Sequence, residues 1–480
     1  MKIINISCLL CVLLAAAASG ETAADFHKYL SQEHELSGAI SLYQGNKLDE
    51  ALPVFRKLIK DSNPVAEYYY AFYLESGKGI VPNQAQARDM FNKAFRGTYS
   101  FAGKGDALAQ NVLGLMYSYG DGVEKDYVQS ASWFRKAAEQ GNADAQYGLG
   151  LAYYQGQGVA INRVEAVSWW RKAAAQGVSK AQFNLGVLFK NGDGVVKDYA
   201  QAVKWFRKAA AQQNAFAQYD LGFMYANGYG VELDYVQAAA WYGKAAAQGV
   251  AEAKYHLGVM YESGRGVEKD YAKALNWFRE AEAQGSAPAQ SRLGVMFYQG
   301  EGVGKDSTQA AEWFRKAADR GVAEAQNNLG VMYENGAGVQ KDYAAAARWY
   351  RTAAEQDYAA AQGNLGLMYN TGHGVAKDYA EAIKWYVKAA GQGDASAQYN
   401  FGLMYYRGQG VEKDYAEAAK LFRQAAEQGL DMAQYDLGVM YGNGYGVEKD
   451  TATAAEWLRK AAAQGHAGAK KALEGLEGKK

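Results

Sequence analysis

The sequence predicts an all-α solenoid built from antiparallel helix pairs. Three observations carry that prediction. A Leu-Gly pair (Phe-Gly once, at Phe401-Gly402) begins at positions 113, 149, 185, 221, 257, 293, 329, 365, 401 and 437, a step of 36 each time. A period of about 20–50 residues marks an array whose units bury their apolar faces only against their neighbours. Four prolines in 480 residues, beside abundant Ala, Gln, Leu and Lys, favour helix throughout. The 55 glycines fit the same picture, because most recur at fixed places in the repeat.

In chain order, residues 1–20 read as a secretory signal. Lys2 supplies the positive start, Ile3 to Ala17 a largely apolar stretch, and Ala18-Ser19-Gly20 small residues for cleavage before Glu21. An uncleaved anchor is the competing reading, but the run is short for a bilayer span of about 20 residues. The two cysteines, Cys8 and Cys11, lie inside this segment, so the mature chain has no thiol. That excludes a cysteine nucleophile, a disulfide framework and a cysteine-based zinc site. Export is therefore expected, to the periplasm or beyond, with no stable membrane insertion after cleavage. The 51 basic and 51 acidic side chains balance, which leaves no excess charge to neutralise phosphates and argues against nucleic acid.

The regular unit is illustrated by residues 107–141. Ala109, Leu113, Met116 and Tyr117 stand at helical spacing and define a first helix, A. Gly120 and Gly122 end it, and Val123 turns the loop back toward the core. Asp126 caps a second helix, B, with Gln129 three residues on in a capping-box arrangement. The same pair recurs as Asn162/Glu165, Asp198/Gln201, Asp234/Gln237, Asp306/Gln309, Asp378/Glu381 and Asp414/Glu417. Helix B turns Tyr127, Ser130, Phe134, Ala137 and Ala138 to one face, and Gly141 closes it. Gln213 and Asp357 replace that closing glycine, where a looser cap is expected. A mid-helix glycine costs about 1 kcal/mol relative to alanine. Ten of them in Leu-Gly pairs therefore imply a close approach, with the alanine column of helix B (Ala166, Ala202, Ala238, Ala274) as the expected opposing surface.

The pattern A-x-A-Q-x-x-L-G-x-M-Y-x-x-G-x-G-V-x-K-D-Y-x-x-A-x-x-W-x-R-K-A-A-x-Q-G closely resembles the Sel-one-like repeat, a relative of the tetratricopeptide repeat with a longer loop. The likeness covers about residues 107–473. It implies a right-handed superhelix that acts as an adaptor, and in bacteria many such proteins are exported to envelope or host-interaction roles. On this reading residues 21–64, with Leu48, Ala51, Phe55 and Pro64, form a tetratricopeptide-like start. Residues 65–106 are a degenerate repeat with Tyr70-Ala71 in place of Leu-Gly and seven extra residues near Arg96–Lys104. Ten repeats fill 107–465, and 466–480 make a polar terminal helix, as a capping unit requires.

No chemistry-bearing constellation stands out. His27, His34, His256, His373 and His466 form no metal-binding pair. The G-x-G steps follow helices rather than strands and lack the P-loop Lys-Ser/Thr. No cofactor, metal or catalytic residue is expected, and the basic column of helix B (Arg135, Lys136, Arg171, Lys172, Arg207, Lys208, Arg315, Lys316) reads as a solvated face complementing helix C-termini.

Residues that vary between repeats define surfaces instead. In tetratricopeptide relatives the concave groove is lined by helix A, including the position two before the Leu. Here that position holds Asn111, Tyr147, Phe183, Tyr219, Tyr255, Ser291, Asn327, Gly363, Tyr399 and Tyr435. The resemblance thus singles out Tyr147, Phe183, Tyr219, Tyr255, Tyr399 and Tyr435, with Phe216 and Phe223 beside Tyr219, as partner-binding residues. Packing of these rings between successive A helices is the competing reading. Variable loop tips (Asp121, Gln157, Tyr229, Arg265, Glu301, His373, Tyr445) offer a second edge. The expected function is a monomeric, non-enzymatic scaffold that holds a protein or peptide in its groove. A cell-wall or β-lactam hydrolase and a carbohydrate-binding solenoid are the alternatives.

Overall fold

The computed structural model describes residues 23–477, and the expected signal segment lies outside them. The described residues form 25 α-helices and no strand. The chain divides into two compact units between Leu233 and Asp234. No described helix is long and apolar enough to cross a membrane.

Each regular repeat is two helices of 12 or 13 residues, such as Ala107–Tyr119 and Tyr127–Glu139. Gly120 stops helix A in the left-handed conformation at φ 87°. Asp126 then caps helix B, its carboxylate accepting from the amides of Val128 and Gln129. Only half of the expected capping box forms. The cap's own N–H donates to the carbonyl nine residues back, Asp126 to Tyr117 at 2.9 Å and Asp306 to Phe297 at 2.8 Å, so it is not offered to the Gln or Glu side chain. At Asp306 the Gln309 amide donates to the cap carboxylate. In the irregular repeat the seven extra residues lengthen helix B, which runs 20 residues from Gln84 to Gly103.

The cores lie where the apolar spacing places them. Ala109, Leu113 and Met116 are buried on helix A, and Phe134, Ala137 and Ala138 on helix B. Each cluster joins helix B of one repeat to helix A of the next, as Phe314, Ala317 and Ala318 join Leu329 and Met332. The loop valines Val303 and Val339 fold onto that cluster.

The Leu-Gly glycine is a close-approach device, but the opposing surface is not the alanine column. A Cβ on Gly114, Gly186, Gly258, Gly294, Gly330, Gly366 or Gly402 would stand 2.5–2.8 Å from an aromatic ring of the same repeat's helix B: Phe134, Phe206, Phe278, Phe314, Tyr350, Tyr386 or Phe422. Gly150 meets Trp170 in the same way, and Gly438 meets Leu458 at 2.9 Å. The alanines are buried beside the ring, and their column enters the contact through a backbone carbonyl at Gly366 (Ala382, 3.3 Å) and Gly438 (Ala454, 3.2 Å).

The loop's second glycine does a different job from the first. A Cβ on Gly158, Gly338 or Gly374 would collide with the backbone carbonyl of Tyr127, Ser307 or Tyr343, the first residue of the preceding repeat's helix B. Gly120 and its equivalents stop a helix; Gly122 and its equivalents let the next repeat dock.

Gln213 and Asp357 do not loosen their caps. Both sit at φ near 60° and keep the glycine's turn, Gln213 N–H to Ala210 and Asp357 N–H to Ala354. They hold a conformation that disfavours a side chain.

Two predictions follow from these backbones. Gly294→Ala should lower stability by about 1–3 kcal/mol, overpacking against Phe314 outweighing the gain in helix propensity. Gly438→Ala should cost less, because Leu458 is smaller and freer to turn. Urea melts of both variants against the parent check that order. Gln213→Gly and Asp357→Gly should each raise stability by about 0.5–1 kcal/mol, read as an upward shift of the same melts.

Candidate functional site

Every expected partner-binding residue lies on helix A at the border of the core. In the first unit Tyr147, Phe183, Tyr219 and Phe223 are half-buried, and Phe216 is 60 % exposed. Tyr147 stacks on Trp170 with ring centres 6.3 Å apart, and Phe183 meets Phe206 at 6.0 Å. Phe183 also meets Phe216 of the next repeat at 6.2 Å. Phe223 lies against the loop-tip ring of Tyr229 at 5.9 Å. Lys190, paired with Asp220 at 2.7 Å, lies over Phe223. Burial pushes the Asp220 carboxyl up, and Lys190 opposes the shift.

In the second unit Tyr255, Tyr399 and Tyr435 are half-buried. Tyr255 meets Phe278 at 5.9 Å and His256 at 5.2 Å. Tyr399 meets Phe422 at 5.3 Å, and Tyr435 stacks on His466 at 4.5 Å. These rings therefore divide themselves. One part packs on helix B, and the rest stays at the surface.

Tyr399 and Tyr435 come together in one cavity of about 320 Å³, which also holds Tyr406, Arg407, Asp436 and His466. The Tyr399 hydroxyl donates to Asp436 Oδ2 at 2.8 Å. Asp436 is pushed above the usual carboxylate range by burial, against the pull of the Tyr399 hydroxyl, His466 and Arg407. Tyr399 is pushed up by burial and by Asp436. His466 Nδ1 accepts from the Ala469 amide and so caps the last helix, Ala467–Glu477. Arg407 is exposed and makes no ion pair among the described residues. The cavity offers aromatic walls, a carboxylate and a guanidinium. It holds no nucleophile poised by a base.

The one-before-Leu column, which supplies Asp436, was silent in the consensus because it is not constant: Asn184, Asn328, Asn364 and Asn400 share it with Asp220 and Asp436 and with Val, Gly, His and Arg in the other repeats. Its signal was the spacing to the ring column. Residues 37 apart pair across neighbouring A helices: Tyr399 with Asp436, and Asn364 Nδ2 with Asn327 Oδ1 at 2.9 Å.

The loop tips and the basic column are largely spoken for. Tyr229 stacks on Tyr199 at 4.7 Å, His373 on Tyr343 at 4.8 Å, and Tyr445 on Tyr415 at 5.3 Å. Glu301 accepts from the Tyr271 hydroxyl at 2.6 Å. The helix-B lysines lie over their own repeat's tryptophan, Lys136 on Trp133 at 3.8 Å and Lys316 on Trp313 at 3.9 Å. Several of the arginines donate to a tyrosine of the next repeat, as Arg207 does to Tyr225 at 2.7 Å. Lys136, Lys172, Lys208 and Lys316 do stand exposed in the last turn of helix B, as expected, and these contacts add to that place. Among the described residues no group of three His, Cys, Asp or Glu could hold a metal ion.

The Sel1 repeat model matches residues 64–98, 107–142, 143–178, 179–214, 215–250, 251–286, 287–322, 323–358, 359–394, 395–430 and 431–466. A protective antigen present in uropathogenic Escherichia coli strains, displaying an SLR fold, is 37 % identical with a TM-score of 0.74; the match covers 89 % of this chain and 91 % of that one. A Sel1 repeat protein from Oxalobacter formigenes is 35 % identical with a TM-score of 0.48, over 64 % of this chain and 89 % of its own. No curated protein matches the chain. Solenoids of this kind are typical protein-interaction scaffolds, generally without catalysis. Eleven matched repeats and a shared fold along most of its length establish that this chain belongs to the Sel1 repeat family.

Proposed function

We propose that the protein is an exported, monomeric and non-enzymatic scaffold that holds a protein or peptide partner along its helix-A wall. The observation that carries the reading is the cavity shared by Tyr399 and Tyr435. Rings anchored on helix B present a rigid apolar surface, while Asp436 and Arg407 supply orientation beside it. Pre-anchored aromatics lose little freedom on binding and so serve well as hot spots. Tyr147, Phe183, Phe216, Tyr219 and Phe223 in the first unit, and Tyr255 in the second, extend the same reading. Export is supported by the Lys2–Gly20 segment and the thiol-free remainder, and by the likeness to an Escherichia coli protective antigen.

A Tyr399→Ala/Tyr435→Ala double variant should reduce partner capture about tenfold or more, judged by crosslinking in the native cell. Circular dichroism should show helicity unchanged. A lowered melting temperature with undiminished capture would assign the rings to the core alone. Sustained turnover of peptidoglycan or a chromogenic β-lactam by the purified chain would replace the scaffold reading with a hydrolase.

Asp436 gives a pH test of the same cavity. Its folded-state pKa is raised, so its favourable contribution is complete below the ordinary carboxylate value and is lost as pH rises through the raised one. Asp436→Asn should therefore raise the melting temperature at about pH 8 and bring little gain at about pH 4. A gain independent of pH would contradict the burial argument.

A further inference from the structure

Across the array, a helix-B arginine donates to a tyrosine hydroxyl 18 residues on. Arg135 meets Tyr153 at 2.6 Å and Arg207 meets Tyr225 at 2.7 Å, and the pairs Arg315–Tyr333, Arg351–Tyr369 and Arg423–Tyr441 repeat the contact. Arg171 breaks the pattern because residue 189 is Phe. Its guanidinium lies 5.8 Å from the Phe189 ring centre, with no hydroxyl there to accept. Arg279 also has a phenylalanine, Phe297, 18 residues on, but its loop carries Gly304 where the Arg171 loop carries Val196.

The missing hydroxyl coincides with an open groove of about 800 Å³ between helix B (Arg163–Ala175), helix A (Ser179–Asn191) and the loop that follows. Val164, Val167, Phe189, Val195 and Val196 supply its apolar lining. Val164 is 68 % and Val196 87 % exposed. Glu124, Glu232, Glu268, Glu412 and Glu448 occupy the Val196 place in five other repeats, so this loop has lost a carboxylate and gained a methyl surface. Three cations border the groove: Arg171, Lys172 on the Trp169 face at 3.7 Å, and Lys197 on the Tyr199 face at 4.8 Å. None of them pairs with a carboxylate among the described residues. The nearby Asp198 is occupied in capping, accepting from the Gln201 amide at 3.0 Å.

We propose that this groove is a second docking site, on the helix-B and loop side, for an acidic–aliphatic segment of a partner protein. A partner carboxylate takes the place of the absent tyrosine hydroxyl and forks onto Arg171, whose planar donors suit a carboxylate. Lys172 and Lys197 add the field, and an adjoining Leu or Ile side chain covers Val164 and Val196 above the buried Phe189. A bilayer surface is the weaker occupant, since the exposed residues are valines rather than the Trp, Phe and Leu that anchor interfacial segments.

The test is fluorescence anisotropy of the full chain with a labelled short peptide of alternating Glu and Leu. Gln-Leu and Glu-Ser peptides and phosphatidylglycerol vesicles serve as comparisons. The Glu-Leu peptide should bind, and the other two peptides should bind about tenfold more weakly. Arg171→Gln should weaken the Glu-Leu complex about tenfold. Phe189→Tyr, which restores the internal acceptor, and Val196→Glu, which restores the repeat's carboxylate, should weaken it similarly while melting temperatures hold or rise. Absent binding, equal affinity for the Glu-Leu and Gln-Leu peptides, indifference to Arg171→Gln and Phe189→Tyr, or preference for the vesicles would each overturn the proposal.

Discussion

The ring of helix B resting on the bare backbone of helix A is the contact from which the rest of each hairpin follows. Phe314 on Gly294 and Tyr350 on Gly330 leave no room for a methyl group. A glycine in mid-helix gives up about 1 kcal/mol of helix propensity, and a buried aromatic side chain contributes more than that through the area it removes from water. The glycine also fixes register. A shift of one residue would set the ring against a side chain instead of a gap, so the two helices have one way to close. That requirement explains why both the glycine and the helix lengths repeat with so little variation.

Joining one repeat to the next needs a second set of contacts. The second loop glycine admits the N-terminus of the preceding helix B, and a polar chain runs at the C-terminal ends of the B helices. Gln146 donates to the Ala138 carbonyl and accepts from Gln176, and Gln362 likewise sits between Ala354 and Gln392. Gln146 and Gln362 are buried, so an unpaired amide there would be costly. The chain changes chemistry at two places in the second unit and keeps its glutamines elsewhere. Lys254 stands in the glutamine place and pairs with Glu280 at 3.0 Å, and Arg320 donates to the Gly285 carbonyl. The substitution at Arg320 leaves the buried Gln290 Oε1 without a hydrogen-bond partner among the described residues.

Periodicity made the helices, their boundaries and most core positions legible, because Leu113, Met116 and Phe134 recur at spacings that only a helix hairpin can bury. The partner of the glycine was not legible. Ala166 and Trp170 lie one turn apart on the same face of helix B, and a consensus does not say which of them leans across. The glutamines were visible in the repeat pattern but carried no period of their own to mark them as paired, since the bond joins residues 30 apart on two helices. The half-formed capping box failed for a related reason: the cap amide's rival acceptor, a carbonyl nine residues earlier, exists only once the loop has closed. At the candidate site the ring column was legible through the resemblance. Asp436, Arg407 and His466 were not, because none belongs to a constant column.

That last point gives the array its own internal reference for function. Where a column is constant, the residue answers to packing: every Leu-Gly pair serves its hairpin, and nearly every helix-B lysine covers its tryptophan. Where one repeat departs, either a neighbour compensates or a group is left over. Lys254 is compensated by Glu280, and Gln213 by the turn it preserves. Arg171 is not, since Phe189 removes its acceptor and Val196 removes the nearby carboxylate at the same loop. The Arg171 guanidinium keeps its place by the Phe189 ring, 5.8 Å away, but has no internal hydrogen-bond acceptor among the described residues. The residue is exposed, and a ligand that supplies two aligned acceptors can take its donors at a surface already lined with apolar side chains. The same reasoning applies to Arg407 beside Tyr399 and Tyr435. In both places the fold supplies a rigid apolar support and leaves a charged donor facing outward.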